Sequence, residues 1–262
     1  MSHVIAIVNQ KGGVGKTTTA VNLGAGLARL GHRCLVVDCD PQSNATRSLG
    51  ILQSVERTIY DVLVDNDGLP IREVILPSNT EGLAVLPASP SLSGAEVELV
   101  NMWGRESRLK HALEPVREDY DFVLLDCPPS LGLISVNALV AADGIIVPVQ
   151  CEYLSLEGLG LLTRTLELVK SRLNAQLELV GLVMTMYDAR TRLAAEVVSE
   201  VQRHFPELQF ATVIPRSIRL GEAPSYGETI FQYAPDTPGA LAYSALAEEL
   251  VARMALDALA TG

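Results

Sequence analysis

The chain has 262 residues, of which 48% are apolar, and a formal net charge of −11. That is enough for one large α/β domain or two small ones around a sizeable core. An acidic average field excludes attraction to DNA or anionic membrane by overall charge, so any nucleic-acid contact must come from a local basic patch.

Residues 4–8 form an apolar run read as a strand. The N-terminus enters it at once, so no signal peptide is expected. The run ends at Asn9-Gln10-Lys11-Gly12-Gly13-Val14-Gly15-Lys16-Thr17-Thr18-Thr19, and helical spacing follows through Val21, Leu23, Leu27 and Leu30. Strand, glycine loop and helix frame a phosphate cradle. Glycines let the backbone curl until successive N–H groups point inward, and the positive end of the helix faces the same spot. Gly12 to Thr18 would line a polyphosphate, with Lys16 on its β- and γ-phosphates and the Thr17 hydroxyl on Mg²⁺. The loop departs from the pattern G-x-x-x-x-G-K-[ST]. Gln10 occupies the place of the first glycine, and Lys11 adds a second cation.

Gly31 closes the first helix. Residues 33–38 read as a buried parallel strand, followed by the polar loop Cys39-Asp40-Pro41-Gln42-Ser43-Asn44. A short helix is expected over 58–64 and short strands over 74–76 and 83–86. Helical spacing covers 91–118, broken near Trp103-Gly104. A buried strand over 121–125 ends at Asp126-Cys127-Pro128-Pro129. Helix 130–141, strand 144–149 and helix 155–172 follow, the last with Leu156, Leu159, Leu162, Leu166 and Val169 on one face. Strand 179–186, helix 191–204 and strand 210–214 lead to a loop rich in Pro, Arg and Gly, and 238–259 is a closing helix. There are no repeats, linkers or low-complexity stretches. The alternation predicts one domain over 1–262, α/β, with a three-layer, doubly wound, mostly parallel sheet.

No apolar run reaches the roughly 20 residues of a membrane span. The four cysteines, Cys34, Cys39, Cys127 and Cys151, include no C-x-x-C pair. Buried, reduced thiols of a cytosolic protein are the expectation.

Ligands of such a sheet gather beyond the carboxyl ends of its strands. Asp126 closes Phe122-Val123-Leu124-Leu125, a position from which a carboxylate holds Mg²⁺. Asp38 and Asp40 close the second strand, where a carboxylate can orient the water that attacks a γ-phosphate. The bland alternative for each is a turn or helix cap.

The form K-G-G-x-G-K-[ST] resembles the deviant Walker A box of the ParA/MinD/NifH class of P-loop ATPases. Further blocks, Val37 to Asn44, Asp126 to Leu131, Asp188 to Thr191, Ile214 to Leu220 and Glu222 to Gly227, are similar to ParA-type chromosome-partitioning ATPases of the Soj kind, in the same order over most of the chain. The resemblance implies ATP and Mg²⁺ as cofactors and ATP hydrolysis as the reaction. It makes Asp126 the Walker B carboxylate and Asp40 the water-positioning residue, with Asp38 structural or near the metal. It sets Pro215 and Ser217 against adenine, although the family pattern has Asn at the place of Ser217. It implies a face-to-face homodimer formed with ATP, in which Lys11 of each subunit reaches the other's phosphates. Lys11, Lys16 and Asp40 thus carry the catalysis. The dimer would bind double-stranded DNA without regard to sequence through Arg190 and Arg219. For the nearby Arg192 and Arg216, solvated surface positions weigh equally. Hydrolysis would be triggered by a ParB-type centromere-binding protein, in the cytoplasm on the nucleoid.

Four rival readings differ in what they require. The same cycle could serve another cargo. A MinD-like membrane-cycling ATPase needs a basic amphipathic last helix, whereas 238–259 carries Glu248, Glu249 and Asp257 against Arg253. Anionic lipid repels that balance, so no membrane partner is expected. A NifH-like reductase needs cysteines to bridge a cluster, and Cys127 has no evident second thiol. A non-hydrolysing switch would lack Asp40.

Overall fold

The computed structural model describes residues 2–65, 69–152 and 155–260, with backbone alone over 155–159, 161–163 and 257–260. The chain runs β1 (His3–Ile7), α1 (Lys16–Arg29), β2 (Cys34–Asp38), α2 (Asn44–Ser48), α3 (Ile59–Val64), β3 (Leu76–Pro77), β4 (Leu83–Leu86), α4 (Leu92–Glu98) and α5 (Arg108–Leu113). It continues β5 (Phe122–Asp126), α6 (Leu133–Ala141), β6 (Gly144–Gln150), α7 (Ser155–Arg172), β7 (Glu178–Tyr187), α8 (Arg192–His204), β8 (Gln209–Pro215), α9 (Ile218–Glu222), α10 (Ile230–Tyr233) and α11 (Pro238–Ala260).

Among the described residues the strands form one eight-stranded sheet in the order β3-β4-β2-β5-β1-β6-β7-β8. All neighbours pair in parallel except β3 with β4. Alternate residues of the central strands enter two separate cores, as a period of two on a sheet covered on both faces requires. Ile5, Ile7, Val36 and Leu124 pack toward α1 and α11, against Leu23, Leu27, Tyr243 and Leu250. Val4, Ala6, Val37 and Leu125 face the other side, with Leu109 of α5, Ile134 and Ala138 of α6 and Val197 of α8. This is the expected three-layer, doubly wound architecture. The chain winds from β1 out to β4, returns through β5 beside β1, and then crosses to β6. The carboxyl ends of β1, β2 and β5 therefore meet at the point where the winding reverses, the usual seat of a ligand in such sheets.

At the β8 edge, α11 closes the sheet with one charged pair. Glu249 accepts hydrogen bonds from the Ala211 and Thr212 N–H groups at 2.8 and 2.9 Å. Arg253 donates to the carbonyls of Val180, Glu207, Leu208 and Gln209 and lies over the Phe210 ring. An edge strand covered in this way offers less free backbone to another chain.

Four local expectations need correction. Residues 71–73 form a 3-10 turn, and the strand placed at 74–76 lies instead at Leu76–Pro77, sharing only Leu76 with the expected range. The helix placed at 130–141 starts at Leu133, because Pro128 and Pro129 keep the preceding loop extended. Asn44–Ser48 is a short helix that begins on the last residue of the polar loop placed at 39–44 and that the sequence reading does not assign. The segment after β8 holds α9, a 3-10 turn at Ala223–Tyr226 and α10 rather than open loop. Helices of four or five residues span barely one turn, too short for periodicity to register. Of the apolar stripe expected on 155–172, Leu166 is partly buried and Val169 buried. Leu156, Leu159 and Leu162 fall outside the described side chains, as does Asp257.

Candidate nucleotide site

The phosphate loop hangs between β1 and α1. Gly13 and Gly15 have φ of 74° and 91°, backbone that a side chain would strain. Gly15 caps α1, which begins at Lys16. The Asn9 amide group anchors the loop, donating to the Pro148 carbonyl at 2.7 Å while its oxygen accepts from the Lys11 N–H at 2.9 Å. From the other side, the Thr185 hydroxyl donates to the Val14 carbonyl at 2.8 Å. The loop is thus held by β6 and β7 as well as by its own helix.

Lys16 is 7% exposed, and its ammonium donates to the Lys11 carbonyl at 3.2 Å. Burial lowers its pKa, and the charges of Asp126, Cys127 and Asp40 pull it back only in part. A buried cation of this kind gains most from an anion brought to it.

Asp126 lies beside Lys16 in the same state of want. It is fully buried, and neither carboxylate oxygen has a hydrogen-bond partner at proper geometry. Burial first, and then the neighbouring Asp38 charge, raise its pKa well above the usual carboxylate value. The Thr17 hydroxyl and Lys16 pull the other way without offsetting them. Two buried oxygens without donors, next to a threonine hydroxyl and a phosphate cradle, suit a hard divalent cation. Among the described residues no group of three His, Cys, Asp or Glu side chains could hold a metal alone. That fits Mg²⁺, which characteristically takes one or two protein oxygens and fills its octahedron with phosphate and water.

Asp38 pairs in register with Asp126 across β2 and β5. It accepts from the Thr46 N–H at 2.8 Å, the Thr46 hydroxyl at 2.6 Å and the Asp40 N–H at 3.1 Å. Its pKa is raised to about 6, with burial as the main cause and those hydrogen bonds opposing it. Asp40 is half-buried in the loop beyond β2, and its carboxylate accepts from the Gln42 N–H at 2.9 Å. Asp38 is thus engaged on both oxygens within the protein, whereas both Asp126 oxygens lack donors and Asp40 is only half-buried.

A cavity of about 260 Å³ opens beyond Gly15 and Thr18. Met186, Ile214, Pro215 and Leu220 supply apolar walls, and Thr185, Ser217 and Tyr243 supply polar groups. A flat heterocycle fits such a slot. Pro215 and Ser217, expected against adenine, both line this cavity. Met186 and Tyr243 are not among the residues that the sequence singles out, and Leu220 enters there only as the end of the block from Ile214. Met186 has φ 54°, a left-handed conformation uncommon for a non-glycine residue, and nothing in the sequence announces it. Thr185 does carry a signal in the sequence, being a polar residue inside the apolar run 182–186.

The remaining predicted residues lie around this centre. Lys11 is 39% exposed by side chain and ion-paired with Glu152 of its own chain at 3.1 Å. Arg190 follows β7 and Arg219 sits on α9 after β8, and the Arg216 N–H donates to the Tyr187 carbonyl at 2.9 Å, joining the two segments. Both arginines are exposed, and each is paired with a carboxylate. Arg190 grips Asp188 with two hydrogen bonds of 2.8 and 2.7 Å, and Arg219 meets Glu222 at 2.9 Å. All four cysteines are free and buried. Burial raises every thiol pKa, so none is a ready thiolate ligand for a cluster.

Sheet order, glycine loop, buried lysine and orphaned strand-end aspartate define a P-loop nucleoside-triphosphate-binding protein with a second lysine in the loop. A family model described as an AAA domain matches residues 2–179. The sporulation initiation inhibitor protein Soj of Bacillus subtilis is 52% identical over 253 residues, covering 96% of this chain and 99% of that protein. The chromosome-partitioning ATPase Soj of Thermus thermophilus is 53% identical, with 95% and 96% covered. A solved structure of cobyrinic acid a,c-diamide synthase from Mycobacterium smegmatis with bound ADP and magnesium superposes with a TM-score of 0.82 at 38% identity, covering 96% of this chain and 94% of that one. The chain belongs to the Soj/ParA family of chromosome-partitioning ATPases.

Proposed function

We propose that this chain is a single-domain ATPase that moves DNA through an ATP-dependent cycle of dimerisation. The observation that carries the reading is the juxtaposition of buried Lys16 with Asp126, whose two buried oxygens lack partners at the mouth of the glycine loop. A Mg²⁺-bound triphosphate supplies the missing anion to the first and the missing cation to the second. Backbone N–H groups of Gly12 to Thr18 bind the phosphates, and the 260 Å³ slot with Pro215 and Ser217 takes the adenine. Thr17 and Asp126 hold Mg²⁺, which when bound neutralises charge on the phosphoryl oxygens.

Lys16 stabilises the charge that develops on the γ-phosphoryl group, and Asp40 orients the attacking water. Lys11 exchanges Glu152 for the phosphates of a second copy, which makes assembly and hydrolysis both depend on ATP. Arg190 and Arg219 then face DNA phosphates. Such contacts are blind to sequence and weaken steeply with salt. A ParB-type protein acts as the trigger, and the nucleoid is the site of action. The last helix argues against a lipid partner, because its one basic side chain, Arg253, is turned onto backbone carbonyls.

Size-exclusion chromatography and a DNA gel shift, each with ATP and with ADP, test this on Lys16→Ala and Asp40→Ala. Asp40→Ala should remain an ATP-bound, DNA-shifting dimer with turnover lowered by roughly a hundredfold or more. Lys16→Ala should stay monomeric and leave DNA unshifted. Wild-type turnover in Asp40→Ala, or a wild-type chain that stays monomeric in ATP, counts against the reading.

A further inference from the structure

Asp38 and Asp126 stand side by side on neighbouring strands, both fully buried, yet they are treated differently. Both oxygens of Asp126 lack partners. Asp38 has donors on both of its oxygens. Oδ1 accepts from the Asp40 N–H, and Oδ2 accepts from the N–H and the hydroxyl of Thr46.

The Thr46 hydroxyl does a second thing. While it donates to Asp38, it accepts from the Ala88 N–H at 2.9 Å, just past the end of β4. A hydroxyl has one proton and two lone pairs, so this buried group is engaged as donor and acceptor at once. Two strand ends and a helix are tied by it: Asp38 at the end of β2, Thr46 itself within α2, and the chain leaving β4. The segment between Asp38 and Thr46 is closed into a short loop, and Asp40 stands inside it with its own N–H fastened to Asp38. Ser43 within that loop holds φ 56°. A left-handed non-glycine residue persists where its surroundings over-determine the backbone.

We propose that Thr46 is a positioning residue for the hydrolysis step. Through Asp38 it fixes the loop that carries Asp40. By engaging Asp38 Oδ2, while the Asp40 N–H holds Oδ1, it also leaves Asp126 rather than Asp38 open to the metal. This rests on the reading of Asp40 as the residue that orients water.

The test compares Thr46→Val, which keeps the shape and removes the hydroxyl, with Thr46→Ser, which keeps the hydroxyl. ATP turnover is measured on the full chain, together with binding of a fluorescent ATP analogue. Thr46→Val should lower kcat by roughly a hundredfold, the scale of a small displacement of a catalytic group. KM and analogue affinity should stay close to wild type, and Thr46→Ser should recover most of the turnover. Asp38→Asn is the second variant, should Thr46→Val not fold. Its kcat should fall with the half-saturating Mg²⁺ concentration unchanged. The inference is overturned by wild-type kcat in Thr46→Val, by Thr46→Ser as slow as Thr46→Val, by affinity lost in step with kcat, or by a raised Mg²⁺ requirement in Asp38→Asn. Asp40→Ala run alongside separates the two readings. If it turns over ATP like wild type, the role of Asp40 falls. If it is slow while Thr46→Val is fast, only the role of Thr46 falls.

Discussion

Along the β8 edge, Glu249 and Arg253 meet backbone groups of β7, β8 and the segment that leads from α8 into β8, and each charge is matched by several partners. At the carboxyl ends of β1 and β5 the reverse holds. Asp126 has two buried oxygens without donors, and Lys16 is buried with its pKa lowered. Both regions bury charge, and burial of charge is costly unless it is paired. Where the pairing is complete, the charges serve the fold. Where it is left open, the missing partner identifies the ligand: an anion for the lysine and a cation for the aspartate.

Replacing the orphaned carboxylate gives the largest contrast. Asp126→Asn should lower Mg²⁺-dependent ATP turnover by roughly a hundredfold or more, while the nucleotide-free protein melts no lower than wild type. The sign follows from the titration. The folded-state pKa of Asp126 is raised, by burial first and Asp38 second. The stabilising proton is therefore present below the ordinary value of 3.8 and is lost as pH rises through the folded pKa. Removing the group should flatten the fall in stability above that value. A marked loss of melting temperature without nucleotide, followed across pH by calorimetry, would instead make Asp126 a structural group like Asp38.

How much of this contrast the sequence carried differs by residue. The glycine loop was legible because its chemistry is local, with turn, helix start and lysine adjacent in the chain. The buried strands were legible too, since runs such as Phe122-Val123-Leu124-Leu125 are apolar without alternation, as two covered faces require. The difference between Asp38 and Asp126 was not. Both close apolar strands, and the donors that Thr46 and Asp40 bring to Asp38 separate them. Met186 was illegible for the same kind of reason, since its left-handed backbone arises where β7 bulges against β8. The short helices α2, α9 and α10 left too few turns to read.

The proposed DNA contacts sharpen the comparison, because Arg190 and Arg219 stand between the two extremes. Arg219 and Arg190 are paired, but exposed and with a single carboxylate each. Exposed pairs of this sort contribute little and exchange partners readily. Arg219→Ala should weaken ATP-dependent DNA binding and reduce the salt slope by about one per subunit, with binding of the ATP analogue unchanged. A gel shift of wild-type strength across a salt series would remove this residue from the interface.

The smallest effect belongs to the satisfied edge. Burial alone would raise the Glu249 pKa, but the Ala211 and Thr212 N–H groups, the Thr212 hydroxyl and Arg253 outweigh it and hold the carboxyl below its usual 4.5. A lowered carboxylate stabilises the fold above its unfolded pKa, and that contribution disappears as pH falls through the folded value. Glu249→Gln keeps the shape yet turns an amide donor toward groups that themselves donate. It should cost about 1 to 3 kcal/mol near neutral pH, which lowers the melting temperature by roughly 2–4 °C per kcal/mol. The loss should shrink in acid, where the wild-type carboxylate is itself protonated. ATP turnover per folded molecule should stay at the wild-type level, because neither Glu249 nor its partners Ala211, Thr212 and Arg253 line the slot beside the phosphate loop. If turnover fell while the melting temperature held, this edge would belong with the reacting centre, and complete pairing would no longer separate groups that hold the fold from groups that wait for a ligand.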